Sequence, residues 1–160
     1  MKIRKANRSD LDGILKIYES ARQYMLEHNN PNQWVDGYPD EKIILMDIEN
    51  NHHFICVDGN RLLGCFAFIE GDDPTYKEIV KGKWLDDNTY AVIHRIAVLE
   101  HGKGIGSICF DWCFSQYKNI RVDTHKDNIS MQRLLIKKGF KYCGVIYNRW
   151  GDERLAFQRV

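Results

Sequence analysis

The 160-residue chain lacks most of the features that assign a protein to a specialised class. An excess of one charge is missing: 23 Lys and Arg stand against 22 Asp and Glu, a formal net charge of +1. The basic surplus of a nucleic-acid binder is therefore absent. No apolar run approaches the ~20 residues of a membrane-spanning helix, and the opening MKIRKANRSDLDGI has no apolar stretch of a secretory signal. Proline is scarce, and Pro31, Pro39 and Pro74 all fall in segments that read as loop. The five cysteines (Cys56, Cys65, Cys109, Cys113 and Cys143) are odd in number and scattered. That pattern excludes a disulfide framework and fits a reducing compartment, hence a cytoplasmic location. No CxxC or nearby Cys/His pair completes a zinc set. The adjacent His52 and His53 alternate across a strand and cannot chelate together, so no metal is expected. What remains is a single domain over residues 1–160, with 44% hydrophobic residues, near ordinary globular usage.

Periodicity places the elements. A strand at Ile3–Ala6 leads to Ser9, read as the N-cap of a helix that runs to about His28, with Leu11, Ile14, Leu15, Tyr18 and Met25 at helical spacing. Asn29–Pro39 is loop, and Asp40 caps a second helix through Glu49. His52–Val57 and Leu62–Ile69 read as a hairpin around Asp58-Gly59-Asn60. Residues 71–88 are polar and irregular, with one turn expected around Tyr76–Val80. Tyr90–Val98 is a strand, and Ile105, Ile108, Cys109 and Trp112 mark a third helix. Ile120–Thr124 is a strand, a fourth helix through Met131 and Leu134 ends at Gly139, and Phe140–Tyr147 and Arg154–Arg159 close the chain as strands. The order βααβββαβαββ describes an α/β (α+β) domain with four helices packed on a mixed sheet.

The most informative stretch is VLEHGKGIGS, Val98 to Ser107, which follows a strand and opens a helix. Gly102, Gly104 and Gly106 let the backbone approach a ligand, and the first-turn amides with Lys103 favour an anion. The GxxxxGK[ST] phosphate loop is excluded, because the lysine precedes the last two glycines. A dinucleotide fingerprint remains open, with Asp123 near the end of the next strand as its ribose-binding acid. Only one βαβ unit supports it. A turn that binds nothing is the third reading.

His101-Gly102-Lys103-Gly104-Ile105-Gly106 resembles the (Gln/Arg)xxGx(Gly/Ala) acyl-CoA motif of the GNAT superfamily of N-acetyltransferases. Asp127-Asn128, Leu134-Leu135 and Lys138-Gly139-Phe140 are similar to that family's second motif, and the resemblance covers essentially the whole chain. It implies a mostly antiparallel GNAT-like sheet and an acetyl-CoA-dependent enzyme acting on a small-molecule or peptide amine, as monomer or homodimer, with no nucleic acid or membrane partner. It also implies roles: Ile96, Ala97 and Val98 pairing with the pantetheine arm, the Val98 amide facing the thioester oxygen, and residues His101 through Ser107, including Ile105, around the pyrophosphate. Asn128 and Met131 would line the far side of the arm. Two positions depart from the pattern: His101 replaces Gln or Arg, and Leu135 replaces the tyrosine that protonates the leaving thiolate. A CoA-binding sensor without turnover is the alternative that Leu135 favours.

Acetyl transfer needs a neutral amine, although an alkylamine has a pKa of ~10.4, so a base or a desolvating pocket is required. His94 is the first candidate base, expected by period-two alternation to share a face with Val92, Ile96 and Val98. His125, after the fifth strand, is the second. Tyr147 is a candidate acid. Glu70 at a strand end, and Trp34 and Tyr38 in the loop between the first two helices, are the expected acceptor-binding residues; Trp34 equally suits a role in pinning that loop.

Overall fold

The computed structural model describes residues 1–160. Along the chain run β1 (Lys2–Lys5), α1 (Leu11–Glu27), α2 (Glu41–Glu49), β2 (His53–Asp58), β3 (Arg61–Glu70), β4 (Ala91–Val98), α3 (Ile105–Gln116), β5 (Ile120–Thr124), α4 (Ile129–Lys137), β6 (Lys141–Tyr147) and β7 (Glu153–Arg159). The strands form one sheet in the order β1-β2-β3-β4-β5-β7-β6. Every neighbouring pair is antiparallel except β4–β5. This is the expected βααβββαβαββ order and mixed sheet.

Helix α1 buries Ile14, Ile17, Tyr18 and Ala21, the i, i+3, i+4, i+7 stripe of a one-sided helix. With α2 it covers one face of the sheet, over Ile55, Val57, Cys65 and Ala97. Helices α3 and α4 cover the other face, over Phe54, Phe66, Ala91, Ile93 and Val122. Alternate residues of β2 thus serve opposite cores. The start of α1 differs from expectation. Asn7, not Ser9, caps a 3-10 turn at Arg8–Asp10: its Oδ1 accepts from the Ser9 amide at 3.0 Å, and Asp10 accepts from the Asn7 amide at 2.9 Å. Asp10 is further held by Arg4 at 2.9 and 3.0 Å, so this reciprocal cap lies two residues earlier than Ser9.

The sheet opens at its centre. Strands β4 and β5 pair only at Ala91–Ile120 and Val92–Arg121, and the rest of β4 diverges from β5. On its other side β4 carries a bulge, because Cys65 faces Ala97 and Ala67 faces His94, leaving Phe66 opposite both Arg95 and Ile96. Arg95 sits at φ +54°, a left-handed conformation that costs a non-glycine residue about 1 kcal/mol or more. Three elements hold it there. The buried Tyr18 hydroxyl donates to the Arg95 carbonyl at 2.6 Å. The Arg95 guanidinium donates to both Asp47 oxygens at 3.0 and 2.9 Å, and to the Tyr38 hydroxyl at 3.1 Å. Burial works against a charge on Asp47, but His53 and Arg95 outweigh it and keep its pKa below the ordinary value.

The bulge breaks the expected alternation. Ile96 and Val98 join Ile93 against the α3–α4 core, whereas Val92 packs with Tyr76 on the opposite face and His94 lies beside that same ring, centroids 6.1 Å apart. His94 therefore does not share a face with Ile96 and Val98: one inserted residue reverses the period-two rule between them.

Residues 71–88 are more organised than their polarity suggests. A 3-10 turn at Pro74–Tyr76, capped by Asp73 and started by Pro74, buries Tyr76 completely. Val80 then pairs with Val145 of β6 through hydrogen bonds of 2.9 and 2.8 Å. The approach is close enough that a Cβ on Gly82 would lie 1.9 Å from the Cys143 carbonyl, and one on Gly144 would lie 2.6 Å from that of Val80.

Removing one member of a nearly dry ion pair strands the other. Asp47→Ala should therefore destabilise the protein by about 3 kcal/mol, read as a lower urea midpoint at unchanged m-value.

Candidate active site

Two cavities meet where β4 leaves β5. One, of about 510 Å³, runs from Ile96–Val98 over the glycine loop to the first turn of α4. The other, of about 400 Å³, lies on the far side, between β4, the end of β5, the loop after α1 and the β6–β7 turn. Met25, Ile96, Asn128 and Met131 line both, so a molecule in one reaches the other.

The backbone of β4 forms the junction. The Leu99 amide donates to Leu63 of β3 at 2.8 Å. Successive strand amides alternate, so the Val98 and Ile96 amides point the other way, into the opening where β5 has left. They are hydrogen-bond donors with no sheet partner.

The glycine loop continues from that edge. Gly104 caps α3 at φ +77° with no capping side chain, and a Cβ there would meet nothing within 4 Å. The first intrahelical bond is from Ile108 to Gly104 at 3.1 Å, so the amides of Ile105, Gly106 and Ser107 remain free for an anion. Gly106 serves packing as well, since a Cβ would come within 3.1 Å of Leu134. Lys103 is exposed and does not line the cavity, whose cationic side chains are instead Arg133 and Lys137 of α4. His101 lies flat on Tyr24, centroids 3.4 Å apart, and Tyr24 lies on His28 at 3.7 Å. Burial and His28 both lower the His101 pKa, which favours the neutral ring. The stack ties the end of α1 to the loop and walls the cavity.

Asn128 caps α4, accepting from the Met131 amide at 3.0 Å, and donates to Gln33 Oε1 at 2.9 Å. Gln33 is thereby fixed at the junction, and Asn30 donates to the same oxygen at 3.2 Å. Leu135 is fully buried in the α3–α4 core, so no hydroxyl takes the place of the family tyrosine.

The second cavity holds a paired histidine and aspartate. His94 Nε2 lies 2.7 Å from Asp73 Oδ2. Burial disfavours the Asp73 charge, yet His94 and two bonds from Thr75 prevail and hold its pKa at about 2. A carboxylate fixed in that state accepts the Nε2 proton and leaves His94 Nδ1 as the basic nitrogen of the neutral ring. Opposite, Asp123 accepts from the Tyr76 hydroxyl at 2.6 Å. Trp34 and Tyr38 both line this cavity, with Trp34 also edge-on to Tyr18, so wall and pin coincide.

Other expected residues lie elsewhere. Glu70 is exposed and lines neither cavity, because the β3–β4 register carries it opposite Ala91, at the paired end of β4. His125 lines neither cavity; its Nδ1 accepts from the Asp127 amide at 3.0 Å, and burial with nearby Arg154 lowers its pKa. Tyr147 is exposed and also outside. Asp123 faces the second cavity rather than the glycine loop, which removes the ribose-binding role from it. Asp73 escaped the sequence reading, although Asp-Pro-Thr carries the signal of a capped turn. No group of three metal-ligating side chains exists, and all five cysteines are free and buried.

Comparison with known proteins agrees with this architecture. The model of the acetyltransferase (GNAT) family matches residues 14–140. A GNAT-family acetyltransferase of Streptococcus agalactiae is 33% identical, with a TM-score of 0.92 over 99% of this chain and 94% of that one. A putative acetyltransferase of Staphylococcus aureus, 22% identical, has a TM-score of 0.75 over 99% and 98% of the two chains. A ribosomal-protein-alanine N-acetyltransferase of Brucella melitensis, 17% identical, has a TM-score of 0.71 over 100% and 99%. No curated protein matches the sequence. With a family model spanning most of its length and a sheet that opens between β4 and β5, the chain belongs to the GNAT acetyltransferase family.

Proposed function

We propose that the protein transfers the acetyl group of acetyl-CoA to the primary amine of a small-molecule or peptide acceptor, by direct attack through a tetrahedral intermediate. The observation that carries this reading is the free amide edge of β4 at the meeting point of two cavities. In it, the Ile96 and Val98 backbone groups hold the pantetheine arm as a further strand would be held. The amides from Gly102 to Ser107 receive the pyrophosphate. The Val98 amide donates to the thioester oxygen, most strongly when that oxygen becomes anionic.

The amine enters from the second cavity. His94 Nδ1 accepts its proton, while Nε2–H bonded to Asp73 orients the ring and stabilises the imidazolium. His125 and Glu70 have no part, since neither lines the cavity. The thiolate departs without a protein acid and takes its proton from water, feasible for a thiol of pKa ~8.5. Buried Leu135 also favours a second reading, a CoA sensor that binds without turnover. An acceptor screen with free-thiol detection separates the two, because a sensor releases no amine-dependent thiol.

Isothermal titration of wild type with acetyl-CoA should show binding, and Gly104→Glu should weaken it at least ~100-fold by setting a carboxylate among the pyrophosphate amides. Undiminished affinity in the variant assigns the pyrophosphate elsewhere. His94→Gln should lower kcat by about 100-fold and flatten the pH–rate profile, with the acetyl-CoA dissociation constant unchanged. A variant that keeps the wild-type profile shows that the amine loses its proton by another route.

A further inference from the structure

The acceptor cavity is lined by charges of both signs. Arg95, Arg149 and Arg154 stand against Asp73 and Asp123, with His94 beside Asp73. All but one are engaged. Arg95 is bound by Asp47 and Tyr38. Arg154 donates to the carbonyls of Gln33 at 2.9 Å and Glu153 at 3.2 Å, and its Nε stands 4.0 Å from Asp123. Asp73 is paired with His94, and Asp123 with the Tyr76 hydroxyl.

Arg149 alone makes no hydrogen bond and no ion pair. It lies in the turn between β6 and β7, its guanidinium 4.3 Å from the Trp150 ring centroid and 5.9 Å from that of Tyr38. The two rings meet edge-on at 5.4 Å. Aromatic faces of this kind attract a ligand cation, but here the protein's own guanidinium already occupies them. What the mouth offers an incoming molecule is therefore a planar fork of unused N–H donors, pre-oriented by stacking and matched to a carboxylate. His94 and Asp73, paired with each other, line the same cavity, and there the amine is to arrive.

We propose, on the basis of the acetyltransferase reading, that the acceptor is a small amine that also carries an oxyanion, an amino acid or a close analogue, and that Arg149 is the residue that selects it. The amine approaches His94 and Asp73 as its carboxylate binds the Arg149 fork. A simple diamine or polyamine meets an unpaired cation at the same place and is disfavoured by charge repulsion.

The test compares matched acceptors, amino acids against their decarboxylated amines: ornithine with putrescine, phenylalanine with phenethylamine, and methionine with 3-(methylthio)propylamine. Thiol release from acetyl-CoA is the readout, and acetyl-CoA binding by titration is measured in parallel. The expected result is a higher kcat/KM for the amino acid in at least one pair. In Arg149→Ala the acid-to-amine ratio should fall by about 10–100-fold, carried by KM, and Arg149→Lys should restore part of it. Arg149 is exposed, so thermal unfolding of the variants should match wild type and separate loss of recognition from loss of fold. If the amines equal or exceed the acids, if neither reacts although acetyl-CoA binds, or if Arg149→Ala leaves the ratio unchanged, the inference is overturned and the cofactor reading stands. If acetyl-CoA does not bind, both fall.

Discussion

The site depends on holding one residue, Arg95, in a conformation that its side chain disfavours. A β-strand of aliphatic residues between two others tends to pair along its whole length. Here the inserted residue turns β4 as β5 leaves it, so amides that would have closed the sheet face a cavity instead. The strain is local, and its compensation comes from three separate segments: Tyr18 on α1, Asp47 on α2 and Tyr38 in the intervening loop. One buried polar cluster therefore holds the bulge of β4 and also docks the loop that walls the second cavity. Buried ionic groups seldom add much stability of their own, and this one is better understood as specifying a backbone shape.

That division explains why so little side-chain chemistry is needed. The first cavity takes main-chain donors from a strand end and a helix start, with Arg133 and Lys137 beside them. A net charge of +1 is compatible with anion binding, since free first-turn amides stand together with Arg133 and Lys137 around one cavity. The second cavity is different. Its groups are side chains drawn from distant segments, and they form closed pairs that leave His94 Nδ1 and Arg149 available.

The fold was largely legible from periodicity. The order of helices and strands, the hairpin at Gly59 and the glycine loop all follow from local patterns, because each is determined within a dozen residues. Of the cavity linings, the glycine loop and His94, Trp34, Tyr38, Asn128 and Met131 were legible in the sequence. Nothing in AVIHRIAV marks a bulge at Arg95, since the residues that stabilise it lie up to 77 positions away. The faces of His94 and Ile96 were consequently misassigned. Asp73 is 21 residues from the histidine it orients, across a segment whose polarity concealed a buried tyrosine. Glu70 and His125 sit at strand ends, but register leaves the first exposed at the paired end of β4 and a local amide bond holds the second outside both cavities.

The bridge between Val80 and Val145 has a wider consequence. Strand β6 ends the sheet, and its outer edge is the kind of surface on which another unfolded or partly folded chain can nucleate cross-β growth. The segment that brings Asp73 to the cavity continues over this edge, and its Gly82 and Gly144 of β6 bring backbone against backbone too closely for any side chain between them. The same stretch of chain thus holds His94 through Asp73 at one end and covers part of the sheet's last strand at the other, so a change in its length would reach both.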